Sequence, residues 1–238
     1  MSEDSPIALV TGANRGIGAQ TAAQLAAKGF HVLVGARRIE SGEETAAKIR
    51  EDGGAATAIE LDVSDRASID AEVARIGSVF GRLDALVNNA ALLLDIGQQP
   101  TEVGDADLRA TFEVNFFGPL YLTQKLAPLL KASPHGRLVN MSTTVASLDQ
   151  LADPDSPARD DICPAYQSSK AALNALTLVF AKEFTDTGTK AKANSCCPGW
   201  VMTDMGEEEL PDYGEGVKPK TPAEGADTPV WLATLPDD

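Results

Sequence analysis

The sequence predicts an α/β fold, a single doubly wound parallel sheet with helices on both faces. Three observations predict it. Apolar runs of strand length alternate with longer runs of helix length along the whole chain. The first strand run passes through a glycine-rich turn directly into a helical stretch. No repeat and no low-complexity linker interrupts the 238 residues, so 1–238 reads as one domain.

Taken in order, the expected strands are 7–11, 31–36, 56–61, 83–88, 136–142 and 190–197. The expected helices are 16–28, 41–52, 65–80, 104–131, 164–187 and 222–235. Strict alternation implies right-handed crossovers, which make the sheet parallel and bury both of its faces. Ser41-Gly-Glu-Glu44 and Thr221-Pro-Ala-Glu224 have the spacing of capping boxes, the second with proline at the first helical position. Two irregular stretches, about 143–163 and 199–221, follow the carboxyl ends of strands. Ligands bind at that edge of a doubly wound sheet, so both are candidate substrate walls.

Ile7-Ala-Leu-Val-Thr11 is followed by Gly12-Ala-Asn-Arg-Gly16-Ile-Gly18 and then an Ala-rich helix. A strand, a glycine turn and a helix in this order make a dinucleotide phosphate site, the Rossmann arrangement. Glycine lets the backbone approach a pyrophosphate, and the helix N-terminus offers free N–H groups and a positive dipole end. The second strand ends Gly35-Ala36-Arg37-Arg38, with no carboxylate before Glu40. A carboxylate there would hold ribose hydroxyls and repel a 2′-phosphate, whereas a guanidinium binds that phosphate. Arg37, with Arg15 in the glycine turn, therefore points to NADP(H) rather than NAD.

Tyr166 and Lys170, in Tyr166-Gln-Ser-Ser-Lys170, share one face of a predicted helix. A phenol has an unperturbed pKa of about 10 and is a poor acid or base at neutral pH. A fixed ammonium beside it is expected to favour the phenolate and bring that value down.

Thr11-Gly-Ala-Asn-Arg-Gly-Ile-Gly18, Asn88-Asn-Ala90, Asn115, Ser142, Tyr166-x-x-x-Lys170, Pro198-Gly199 and Thr203 occur in this order over nearly the whole chain. Together they resemble a classical short-chain dehydrogenase/reductase. Gly12-Ala-Asn-Arg-Gly-Ile-Gly18 with Ala36-Arg37 is similar to the NADPH-dependent carbonyl reductase branch.

The resemblance implies reversible reduction of a ketone or aldehyde to an alcohol. Tyr166 would donate the proton, Ser142 would orient the substrate oxygen, and Lys170 would tune Tyr166 and bind the nicotinamide ribose. The Asn115 carbonyl, at a local helix distortion, would hold a water that reaches Lys170. Gly12, Asn14, Arg15, Gly16, Ile17, Gly18, Arg37, Asp62, Val63, Asn89, Ala90, Pro198, Gly199, Val201 and Thr203 would meet the cofactor, as would Tyr166 and Lys170. Among these, Asp62 would accept from the adenine amino group; a capping aspartate is the alternative there. Ala91 stands where the family has a glycine.

Leu92, Leu93, Leu94, Val145, Leu148, Trp200 and Met205 suit an apolar or aromatic substrate. Ser142 and Tyr166 are separated by a longer interval than the family's usual one. The extra segment, Leu148 to Asp161, is acidic and carries prolines, and is similar to a shorter form of an insertion in monomeric carbonyl reductases. Family members associate through helices matching 104–131 and 164–187, so a homo-oligomer is possible and the insertion bears on it. The resemblance also implies a final strand beyond Trp231. Either the sheet is one strand short or the strand lies in a tail beyond this sequence.

Composition narrows the partners. The formal charge is −15, which disfavours nucleic acid and anionic membrane. Met1-Ser-Glu-Asp-Ser-Pro6 lacks the basic flank and apolar core of a secretory signal, and no apolar run has membrane-spanning length. Cys163, Cys196 and Cys197 lack redox-motif spacing and read as reduced thiols of a cytoplasmic protein. With only His31 and His135, neither a metal site nor a Ser-His-Asp triad is expected. Two other functions remain open. One is an extended-family epimerase or dehydratase, against which the glycine spacing and short C-terminal region count. The other is a catalytically silent NADP-binding redox regulator, against which Ser142, Tyr166 and Lys170 count.

Overall fold

The computed structural model describes residues 5–203, 205 and 218–236. Six parallel strands form one sheet: β1 (Ile7–Thr11), β2 (His31–Ala36), β3 (Ala55–Glu60), β4 (Ala85–Asn88), β5 (Arg137–Met141) and β6 (Lys192–Cys196). Their order is β3-β2-β1-β4-β5-β6. The direction of winding reverses between β1 and β4, and the carboxyl ends of these two strands open a crevice.

The helices are α1 (Gly16–Ala27), α2 (Ile39–Glu51), α3 (Arg66–Val79), α4 (Asp105–Phe112), α5 (Gly118–Ala132), α6 (Leu148–Ala152), α7 (Pro164–Asp186) and α8 (Pro222–Ala233). Strand side chains alternate between the two faces. Leu9, Leu33, Leu86 and Leu138 meet Leu122 and Leu126 of α5 and Phe180 and Phe184 of α7. Val10, Val32, Val34 and Val87 face the other way, toward Leu25 of α1, Ile49 of α2 and Val230 of α8. Two dry layers therefore lock the sheet between helices, leaving its carboxyl edge free to carry chemistry.

The elements differ from the sequence expectations at four places. The helix expected over 104–131 is broken by a π-turn, Glu113–Phe117. The cause lies in Gly118-Pro119. A Cβ on Gly118 would stand 2.4 Å from the Val63 carbonyl oxygen, so the helix touches the loop after β3 there. Pro119 has no N–H to offer the carbonyl of Asn115, four residues earlier. Second, the box expected at Ser41 does not form. The helix starts two residues sooner, and the Ser41 hydroxyl donates to the Arg38 carbonyl at 2.9 Å. The box at Thr221 is present: the Thr221 hydroxyl accepts from the Glu224 N–H, and the Glu224 carboxylate accepts from the Thr221 N–H.

Third, the stretch 143–163 is not irregular throughout. It holds α6 and two short 3-10 turns, Thr144–Ala146 and Pro157–Arg159, each started by a Thr or Ser side chain. Fourth, strand ends move by one or two residues: β4 begins at Ala85, not 83. Of the second expected wall, 199–221, residues 204 and 206–217 lie outside the described residues.

At the amino end of the sheet, the buried Asp84 carboxylate accepts from the Ile7 N–H at 2.7 Å and the Ser133 hydroxyl at 2.6 Å. Arg82 approaches it at 3.2 Å. Replacing Asp84 with Ala leaves these donors buried and unpaired. Urea unfolding of Asp84→Ala is expected to show a loss of about 2–3 kcal/mol, with cofactor affinity unchanged because the site is at the opposite end of the strands. A loss under about 0.5 kcal/mol, the size of an ordinary surface substitution, would contradict this.

Candidate active site

The turn after β1 is shaped by glycines. Gly12 and Gly16 have φ of 60° and 56°, a region that side chains disfavour. A Cβ on Gly18 would sit 2.4 Å from both the Asn89 amide nitrogen and the Gly12 carbonyl oxygen. The turn is tied to the loop after β4. Asn89 Nδ2 donates to the carbonyls of Thr11 (2.9 Å) and Gly12 (3.1 Å). The Thr11 hydroxyl accepts from the N–H groups of Asn89 and Ala90, both at 3.0 Å. Ala91 needs no glycine, since no non-glycine residue has positive φ among the described residues.

Above this crevice lies a cleft of about 610 Å³. Gly12, Asn14, Arg15, Gly16, Ile17 and Gly18 line it along the glycine turn. Arg37, Asp62 and Val63 line it at the ends of β2 and β3, and Asn89 and Ala90 at the end of β4. Ser142, after β5, and Tyr166 and Lys170 of α7 line it, as do Pro198 and Thr203 from the loop after β6. Thr203 stands over the glycine turn, where a Cβ on Gly16 would lie 3.5 Å from its methyl. Asp62 faces the cleft and also shapes its own turn, its Oδ1 accepting from the Ser64 N–H (2.9 Å) and hydroxyl (2.6 Å).

Three expected residues do not line the cleft. Gly199, with φ of 84°, packs against the Lys220 side chain, whose ammonium donates to the Pro198 carbonyl at 3.2 Å. Val201 pairs with Lys220 in a single β-bridge and fills the space beside Gly225. Both support the wall from behind. Asn115 is fully buried in the π-turn. Its side chain grips Leu92 through both backbone groups at 2.8 Å and donates to the Ser169 hydroxyl at 3.1 Å. That hydroxyl in turn donates to the Tyr166 carbonyl at 2.8 Å.

Ser142 immediately follows β5, and its N–H donates to the Cys196 carbonyl at 2.7 Å. Its hydroxyl is buried without a hydrogen-bond partner among the described residues. A buried hydroxyl facing a cleft with no partner is a group waiting for one. Lys170, only 2% exposed, donates from Nζ to the Met141 carbonyl at 2.7 Å. Its ammonium lies 5.8 Å from the centre of the Tyr166 ring. Burial draws the Lys170 pKa down to about 8.

The expected lowering of the Tyr166 pKa by Lys170 is corrected here. Burial pushes the phenol up, and the neighbouring Cys163 and Cys197 add to the effect. The ring keeps some surface open to the cleft, yet loss of water around the hydroxyl outweighs the ammonium, which lies 5.8 Å from the ring centre and donates to the Met141 carbonyl. Tyr166 thus remains a protonated phenol at neutral pH.

Of the apolar residues expected to meet substrate, Leu92 and Met205 line the cleft; Leu93, Leu94, Val145, Leu148 and Trp200 do not. Arg38, Ser41, Leu61, Ala91, Val114 and Met141 line it and were not expected. Arg38 adjoins Arg37 and was legible from that alone. Met141 and Val114 look like ordinary core in the sequence, and only the fold brings them to the opening. The three cysteines are free; the Cys197 sulfur accepts from the Thr144 hydroxyl at 3.2 Å. No helix of the described residues is long and apolar enough to cross a membrane.

Comparison with known proteins agrees with this geometry. The family model for short chain dehydrogenases matches residues 6–214. Carbonyl reductase (NADPH) 1 of Mus musculus is 31% identical over 272 residues, covering all of this chain and 94% of that protein. Carbonyl reductase (NADPH) 3 of the same organism is 32% identical over 275 residues, with the same coverage. Among solved structures, a metagenomic short-chain oxidoreductase in complex with NADP superposes with a TM-score of 0.78 at 28% identity, over 99% of this chain and 94% of that one. A gluconate 5-dehydrogenase from Burkholderia cenocepacia, solved with NADP and tartrate, gives 0.81 at 25% identity, over 96% and 88%. With its glycine turn, switch-point cleft and Ser142, Tyr166 and Lys170 gathered at one wall, the chain belongs to the short-chain dehydrogenase family.

Proposed function

We propose that this protein is an NADP(H)-dependent oxidoreductase that reduces a ketone or aldehyde to an alcohol, reversibly, with Tyr166 as the acid. One observation carries the reading: the unpartnered Ser142 hydroxyl lies in the same cleft as Tyr166, at the wall reached from the glycine turn.

The residues present fit the cofactor. A Cβ on Gly12 would meet Ala90 at 3.0 Å and one on Gly18 would meet the Asn89 amide at 2.4 Å, so glycines there let the turn fold tightly against the loop after β4 and bring the N-terminus of α1 to a pyrophosphate. Gly16 and Ile17, with Asn14 and Arg15, would surround the phosphates. Arg37, with Arg38 and Ser41 beside it, would hold a 2′-phosphate by charge-assisted hydrogen bonds. Asp62 and Val63 would meet the adenine, and Asn89, Ala90, Pro198 and Thr203 the rest of the dinucleotide. The named relatives point the same way, being NADPH enzymes or solved with NADP.

When bound, NADPH supplies the hydride that a carbonyl carbon accepts. The protein governs the oxygen. Ser142 donates a hydrogen bond to the carbonyl oxygen as negative charge gathers there, in a site with little competing water. Tyr166, kept protonated by burial, gives its proton to that oxygen and completes the alcohol. Lys170 holds the nicotinamide ribose. The carbonyl of Asn115, deprived of a helical donor by Pro119, anchors a water through which protons return. Leu92, Val114, Met141 and Met205 offer an apolar side to the substrate, which favours an apolar or aromatic carbonyl compound. A panel of carbonyl compounds assayed by loss of NADPH absorbance tests the reading; tight NADPH binding with no turnover on any of them contradicts it.

In Tyr166→Phe the ring that packs the cleft remains and the proton is gone. NADPH affinity is expected within about twofold of the parent and turnover lower by about 10²–10⁴-fold, the usual contribution of a positioned acid. Near-normal turnover would remove Tyr166 from the acid role. Arg37→Asp puts a negative charge against the 2′-phosphate. The ratio of kcat/KM for NADPH over NADH should fall at least about tenfold, the equivalent of one charge-assisted contact. An unchanged ratio would mean that Arg37 does not read the phosphate.

A further inference from the structure

The loop between β4 and α4 contains a carboxylate that the reaction above does not use. Asp95 is fully buried, with 0% exposure. One oxygen, Oδ2, accepts from the Ala165 N–H at 2.5 Å; the other, Oδ1, is buried with no partner among the described residues. Burying a carboxyl group with so few partners is costly. The position of the acceptor explains what the cost secures. Ala165 lies in the first turn of α7, one residue before Tyr166. The residue at the head of α7, Cys163, makes no side-chain cap, and Pro164 has no N–H. Asp95 therefore caps this helix from a segment 70 positions away in the chain. The positive end of α7 faces the carboxylate and partly offsets its burial.

The same loop is fastened twice more. The Gly97 N–H donates to the Ile162 carbonyl at 2.7 Å, just ahead of α7. Asn115 holds Leu92 and reaches the Tyr166 carbonyl through Ser169. Tyr166 is thus gripped on both sides of its backbone: Asp95 bonds the N–H before it, and the Asn115–Ser169 pair bonds its carbonyl. Meanwhile Leu92, three residues before Asp95, lines the cleft. One loop consequently sets both an apolar wall of the cleft and the direction of the phenol.

We propose that Asp95 is a positioning residue for proton transfer: its carboxylate docks the β4–α4 loop onto the first turn of α7 and thereby aims the Tyr166 hydroxyl at the oxygen that Ser142 holds. The proposal rests on the reading of Tyr166 as the acid, and requires the acceptor at Asp95 rather than its charge.

The test compares Asp95→Asn, Asp95→Leu and Asp95→Ala with the parent, measuring thermal midpoint, NADPH affinity, kcat and KM. Amide hydrogen exchange of residues 164–170 in the NADPH complex is followed alongside. Asn keeps an oxygen acceptor and should retain kcat within about threefold. Leu fills the volume but cannot accept, so kcat should fall about 10–100-fold, as for a displaced catalytic group. NADPH affinity should stay within about twofold, because the cradle is elsewhere, and exchange in the first turn of α7 should rise at least about tenfold for the lost hydrogen bond. Ala should behave like Leu, and either one suffices if the other does not fold. Kcat within about threefold of the parent in both apolar variants overturns the proposal, as does an equal loss in Asn. A fall in kcat matched by an equal fall in NADPH affinity or in the folded fraction assigns Asp95 to general stability instead, and also overturns it. If the parent itself shows no turnover, the reading of Tyr166 fails. The exchange measurement then still decides whether Asp95 orders the turn: unchanged exchange in Leu and Ala overturns that as well.

Discussion

The hydrogen bond from Lys170 Nζ to the Met141 carbonyl joins the two elements that make this site. It fastens α7 to the carboxyl end of β5, one residue before Ser142. Tyr166 stands one helical turn earlier on the same face of α7, so the bond brings the phenol to the cleft wall where the serine hydroxyl waits. The arrangement is not optimised for stability. Lys170 is buried, and burial lowers its pKa to about 8 from the ordinary lysine value. Between about 8 and that ordinary value the unfolded chain binds more protons than the native one, so this group makes the fold more stable as pH rises. At neutral pH its charged form counts against the fold. A buried cation retained at such a cost, with an unpartnered hydroxyl beside it, marks a place kept for chemistry.

Charge is divided along the cleft. The chain as a whole carries −15, yet Arg15, Arg37 and Arg38 line the β2 side of the opening. The rest of the lining includes the hydroxyls of Ser142 and Tyr166 and the apolar side chains of Leu92, Val114, Met141 and Met205, with the Lys170 ammonium donating to backbone. An anionic dinucleotide and an uncharged carbonyl compound would therefore lie end to end without contending for the same groups. Tyr166 at their junction is governed more by lost water than by the ammonium, and that suits a proton donor better than a base.

Much of this was legible before any coordinates. The layer structure followed from alternating apolar runs, because side chains of Leu9, Leu33, Leu86 and Leu138 must leave one face of a sheet while their neighbours leave the other. The glycine turn was legible because few residues other than glycine tolerate its backbone, and Arg37 because its charge sits where a carboxylate would decide otherwise. The less legible features depend on contacts between distant segments. The helix distortion at Asn115 was implied by the family resemblance and is present as the π-turn, but it needs the approach of Gly118 to Val63, which has no signature in local spacing. Gly199 and Val201 are expected to meet the cofactor from sequence, and their contacts with Lys220 depend on a segment about twenty residues further on. Asp95 reads as one more acid in a loop, since its partner is 70 positions away. The direction of the Tyr166 shift was misjudged for the same reason: spacing reveals a neighbouring lysine, whereas desolvation depends on everything packed around the ring.

The most direct measurement is transfer of a label. Protein incubated with NADPH carrying deuterium at both C4 positions of the nicotinamide and a panel of apolar and aromatic carbonyl compounds should yield an alcohol carrying one deuterium on the former carbonyl carbon, detected by mass spectrometry. Cofactor that binds yet leaves every compound unreduced, or an alcohol formed without the label, would contradict the account.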